Sequence, residues 1–117
     1  MARTQGSGNP CWNREEVILA LELYHDTDGQ IPPESDKRVQ ALSALLRRLP
    51  YHDGVAKRAS FRNPAGVVFK MQNLHRVATG NGLAHLSATD QRVWRELGKD
   101  RTGTKILATK IKQAVEA

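Results

Sequence analysis

Between Pro50 and Gly82 the sequence sets five cations, Lys57, Arg58, Arg62, Lys70 and Arg76, against a single carboxylate, Asp53. The same stretch holds His52, Ser60, Gln72, Asn73 and His75. Lysines and arginines neutralise phosphates and release counterions, while Ser, Gln, Asn, His and Arg can hydrogen-bond to base edges. Recognition of a nucleic acid is the chemistry these residue types share. Asn63 followed by Pro64 also reads as a helix start, where unpaired N–H groups favour an anion such as phosphate. A charge run is usually a solvated face, but this surplus is concentrated in one short region.

Catalytic patterns are weaker. His52, Asn63 and His75 follow one another in an HNH-like order, yet such a site needs a strand hairpin and a helix to present it, and Asn63 is better explained as a helix cap. His25 with Asp26 and His52 with Asp53 are adjacent pairs, not the i, i+4 spacing that sets two metal ligands on one helix face. The "TGNG" segment at 79–82 has no lysine after its glycines and is no P-loop. No nucleophile sits beside a base in any recognisable pattern. The expectation is a protein that is not an enzyme and uses no metal or cofactor.

The whole chain agrees with a nucleic-acid partner. Its 117 residues suit one domain, and 39% hydrophobic with 26% charged residues suits a folded one. The net charge of +6 is the balance a polyanion partner favours. A single cysteine, Cys11, forms no internal disulfide and leaves no CxxC motif, which fits a reducing cytoplasm. The start "MARTQGSGNP" lacks the apolar core of a signal peptide. No run approaches the roughly 20 apolar residues of a membrane span. A flexible arm over residues 1–11, a helical domain over 12–117 and a cytoplasmic, nucleoid-associated location are expected.

The elements that must carry these residues are helices. Asn13 and Glu16 form a capping box, with Trp12 and Val17 as a staple, so a first helix starts at Arg14 and buries Val17, Leu21 and Tyr24 until Gly29. A second begins at Ser35 or Asp36 and runs through Val39, Leu42, Leu46 and Leu49 to Pro50, with Arg47 and Arg48 as cations at its negative end. The third is capped by Asn63 and buries Val67, Met71 and Leu74. A fourth starts at Ser87, with Asp90 at the capping-box position, and ends at Gly98; a fifth runs from about Thr104 through Ile106, Leu107, Ile111, Ala114 and Val115. No stretch alternates like a strand. An all-α single domain of about five helices is predicted.

The segments "WNREEVILALELY", "FRNPAGVVFKMQNLHRV" and "GNGLAHLSATDQRVWRELGKD" resemble the sulfur-binding domain of McrA-like, type IV HNH restriction endonucleases, which reads phosphorothioate DNA. The similarity spans about residues 12 to 115 and is strongest in FRNPxGVxxK and the QN pair after it. Nothing in the chain resembles the nuclease part, so the resemblance implies the reader alone, with duplex DNA as partner and a nuclease domain or another effector acting after it.

In phosphorothioate DNA a non-bridging phosphate oxygen is replaced by sulfur, a larger and poorer hydrogen-bond acceptor. A dry apolar pocket would select it, because stripping water from an ordinary oxygen without replacing its hydrogen bonds costs roughly 1 to 3 kcal/mol. The resemblance implies a pocket built on Pro64 and Ala65 with an aromatic edge from Phe61, Tyr24 or Tyr51. It implies phosphate contacts from Arg58, Arg62, Lys70 and Arg76 around the Asn63 helix start, and base-edge contacts from His52, Ser60, Gln72 and Asn73. Two other readings stay open: a reader of methylated or otherwise modified bases, which needs an aromatic cage or flipping pocket, and a protein-interaction domain whose basic face is only solvated.

Overall fold

The computed structural model describes residues 9–52, 59–81 and 86–116. Five helices account for most of them: α1 (Arg14–Asp26), α2 (Lys37–Arg48), α3 (Pro64–Thr79), α4 (Ala88–Leu97) and α5 (Arg101–Glu116), with a single 3-10 turn at Pro50–His52. No strand occurs among the described residues. The chain is an all-α, single compact domain.

The continuous run VILALEL decides the architecture. Every residue of α1 from Glu16 to His25 is buried, and the helix packs against α2, α3, α4 and α5. A helix that is apolar nearly all round belongs inside the bundle. The other helices each offer one stripe to it: Val39, Leu42, Leu45 and Leu46 from α2, Val67, Met71 and Leu74 from α3, Val93 and Leu97 from α4, and Ala108 from α5.

The caps form as their side chains require. Asn13 Oδ1 accepts from Glu16 N–H at 3.0 Å while Glu16 accepts from Asn13 N–H at 2.9 Å. Asp36 caps α2 through Arg38 N–H, and Asn63 caps α3 through Gly66 N–H at 2.7 Å. At the other end of α3, Gly80 takes φ +78°, the left-handed geometry that lets a helix end cleanly. Gly98 after α4 is fixed by space, since a Cβ there would come within 2.4 Å of the Trp94 ring.

Three expectations are corrected. Asp90 holds its place at the start of α4, but its carboxylate binds Lys70 instead of closing a capping box. Helix α5 starts at Arg101, three residues before Thr104, because Asp100 Oδ1 accepts from Gly103 N–H at 2.8 Å. Within α5, Ile106 and Ala114 are exposed, while Leu107, Ile111 and Val115 pack on the core.

Candidate nucleic-acid interface

The FRNP stretch turns inward. Phe61 is fully buried, with its ring edge-on to His52 at 5.7 Å. Arg62 is 3% exposed and donates from Nε to Glu16 Oε2 at 2.9 Å and from Nη2 to Glu16 Oε1 at 3.0 Å. Its remaining N–H groups reach the Pro10 carbonyl at 3.0 Å and the Cys11 carbonyl at 3.2 Å. The guanidinium lies 4.9 Å from the Trp12 ring centre and 4.6 Å from that of Phe61. His52 Nε2 completes the cluster, 3.2 Å from Glu16 Oε1 and 3.3 Å from Arg62 Nη2.

Arg62 therefore joins the start of α1 to the start of α3. It does so at φ +47°, a conformation that a branched or long L-residue adopts only when its surroundings hold it. The Ser43 hydroxyl donates to the Arg62 carbonyl at 2.7 Å, and the Arg47 guanidinium donates to the Phe61 carbonyl. Helix α2 thus pins the turn from the other side. Burial alone pushes the Glu16 carboxyl up, but the Arg62 hydrogen bonds, the Asn13 N–H, the Arg62 charge and His52 together hold it below its ordinary value.

Lys70 follows the same pattern. It is 8% exposed, its ammonium lies 3.0 and 2.9 Å from the two oxygens of the fully buried Asp90, and the Trp12 ring centre is 5.4 Å away. Arg62 and Lys70 are consequently corrected from phosphate contacts to internal ion pairs. A buried cation already matched to a carboxylate cannot also meet a phosphate without leaving that carboxylate unpaired.

Among the proposed pocket residues, Phe61 and Tyr24 lie in the core. Tyr24 is 7% exposed, its hydroxyl is 2.9 Å from His75 Nδ1, and its ring meets Trp94 edge-on at 5.8 Å. Phe61 reaches no surface, and Tyr24 borders only the groove it shares with His25, Gly29 and Trp94, away from Pro64 and Ala65. Tyr51 is 41% exposed. Burial raises the pKa of its phenol, and the charges of Glu15 and Glu16 raise it further. Pro64 is half-buried and Ala65 exposed at the first turn of α3.

The remaining candidates divide by their partners. Ser60 is exposed and accepts from the Asn9 amide at 3.2 Å. Asn63 is half-buried, and its side-chain oxygen is occupied by the Gly66 N–H. Gln72 and Arg76 are exposed, and Asn73 is half-buried. Arg58, with Lys57 and Asp53, lies outside the described residues. Asn9, Pro10 and Cys11, counted with a flexible arm on composition, are bound to Ser60 and Arg62.

What gathers on one surface is the outer side of α3. Ala65, Phe69, Gln72 and Arg76 follow the spacing of a single helix face, and all four are exposed, with His75 beside them. Phe69 is 58% exposed. The sequence reading passed over it, although its position four residues after Ala65 and three before Gln72 marks it for that face. No Asp or Glu occurs from residue 54 to residue 89, and neither α2 nor α3 contains one. Arg48, the last residue of α2, is exposed.

The widest groove among the described residues borders this face, where Ile31, Pro32, Pro33 and Glu34 meet Val68 and Gln72 of α3. Smaller ones are lined by Leu23, Asp26, Arg38 and Leu45, and by Tyr24, His25, Trp94 and Arg101. No family model, curated protein or solved structure matches this chain. A functional reading therefore stands on its residues and their geometry.

Proposed function

We propose that this chain is a non-enzymatic module that binds double-stranded DNA and reads a phosphorothioate linkage, with the outer face and first turn of α3 against the duplex. The observation that carries this reading is the separation of charge across α3. Its inward-turned cation is matched to a buried carboxylate, while the outward Arg76 stands in a stretch of sequence without acids. A polyanion is the partner such a surface attracts.

Sulfur selection is assigned to Pro64 and Ala65. Proline has no N–H to offer, the N–H groups of Gly66 and Val67 already donate to the side-chain and backbone oxygens of Asn63, and the Ala65 methyl is exposed. An ordinary phosphate oxygen held against the proline ring and the alanine methyl would lose water for few donors, whereas sulfur would lose less. The similarity of FRNPAGV to sulfur-binding domains supports the same choice. Duplex DNA in the nucleoid is the proposed partner, and a nuclease or other effector would act after binding.

A competition between matched phosphorothioate and ordinary duplexes at two salt concentrations tests the reading. Affinity for both should fall steeply with salt, while the preference for sulfur, set by an apolar contact, should stay nearly constant. Equal affinity for the two duplexes would leave a general DNA binder, and no binding to either at low salt would leave a protein-interaction domain.

A further inference from the structure

We infer that the outer face of α3 lies in the major groove and reads bases, with Phe69 against the 5-methyl group of a thymine and Gln72 on a neighbouring adenine. This rests on the proposed binding of duplex DNA. It goes further by naming the bases and the side chains that read them.

A lone exposed apolar residue is ordinary. Phe69 differs in its neighbours. It is 58% exposed in the middle of a face whose other members are Ala65, Gln72 and Arg76; no acid lies in the sequence from 54 to 89, and the groove that Gln72 shares with Ile31, Pro32, Pro33 and Glu34 does not include the ring. A protein-docking site would be expected to set such a ring among other large exposed apolar side chains. Here its companions on the face are an amide and a guanidinium, which suit base edges and phosphates.

The dimensions agree with this placement. From Pro64 to Arg76 the helix advances about 18 Å at roughly 1.5 Å per residue. A major groove about 12 Å wide admits a helix and is bordered by phosphates on both sides. With Pro64 and Ala65 at one border and Arg76 at the other, the middle of the helix falls over the bases. Phe69 and Gln72 occupy that middle. Thymine and its pyrimidine analogues present a 5-methyl group in this groove, the apolar partner a phenyl ring takes, and adenine presents the donor and acceptor pair that a glutamine amide matches.

The test uses the full chain and a set of phosphorothioate duplexes in which each flanking thymine is replaced in turn by deoxyuridine, which removes only the 5-methyl group. One replacement should weaken binding about fourfold, the value of one buried methyl. Phe69→Ala should weaken binding to the thymine duplex by at least as much and be indifferent to that same replacement. Gln72→Ala should lose roughly five- to a hundredfold, and only where the adjacent adenine is present. Circular dichroism would verify that both variants remain helical. The inference is overturned if Phe69→Ala binds every duplex as the parent chain does, or if it keeps the parent's full response to deoxyuridine. Failure of the parent chain to bind any duplex at low salt would remove the DNA reading itself, and is thereby distinguishable.

Discussion

On the inner side of the α3 region, Arg62 is closed against Glu16 and Lys70 against Asp90; on the outer side, Gln72 and Arg76 face solvent. Both sides draw on the same basic stretch of sequence, yet burial gives them different work. A cation sealed against a carboxylate fixes how two helices meet, and its removal strands the partner charge. An exposed cation adds little to folding and remains available to a polyanion. The density of positive charge in the sequence therefore overstates the number of cations left free at the surface.

The comparison can be broken most forcefully at Arg62. Arg62→Ala should destabilise the fold by about 3 to 5 kcal/mol, since Glu16 would remain buried without its cation. Chemical denaturation measures this directly. The double variant that also carries Glu16→Gln should recover part of the loss, because the stranded charge is gone. Lys70→Ala should cost nearly as much, about 3 kcal/mol, for the sake of Asp90. An effect under about 0.5 kcal/mol at either position would place that pair with ordinary surface ion pairs.

A smaller effect should appear in acid. The folded-state pKa of Glu16 is lowered, so its contribution to stability is complete above the unfolded-state glutamate pKa of about 4.3 and is lost as pH falls through the lower folded value. Denaturation midpoints measured from pH 7 downward should decline across that interval. They should decline less in a Glu16→Gln chain, which has no carboxylate to protonate at this position.

The smallest effects on stability belong to the outer face. Arg76→Ala and Gln72→Ala should each change folding stability by no more than about 0.5 kcal/mol. For Arg76→Ala, the dependence of log affinity on log salt should become shallower by about 0.9, the value of one phosphate contact. Loss of stability without loss of salt dependence would reverse the assignment of this face.

The helix starts were legible because capping is local: Asn13, Asp36, Asn63 and Ser87 each bind an N–H two or three residues on. The start of α5 was missed because apolar spacing begins only at Ile106, whereas the cap, Asp100, follows Lys99 without any apolar marker. The inward turn of Arg62 was not legible, since Glu16 lies 46 residues away in sequence. Lys70 did leave a trace. It falls three residues after Val67 and four before Leu74, on the buried stripe of α3, and Asp90 stands three residues before buried Val93. An opposite pair on two apolar stripes is a sign of a buried ion pair. The burial of Phe61 and Tyr24 depends on how α1 sits among the other helices, which no local pattern states.

The central claim is that inward cations build the domain while the exposed start of α3 distinguishes sulfur from oxygen. Its most direct test is the ratio of affinities for two duplexes of one sequence that differ by a single sulfur atom, measured for the parent chain and for Ala65→Ser. The parent should favour sulfur by roughly tenfold to a hundredfold, the range expected from one desolvated oxygen. Ala65→Ser, which gives that surface a hydroxyl donor, should bring the ratio toward one while total affinity stays high. A ratio of one for the parent chain would contradict the account.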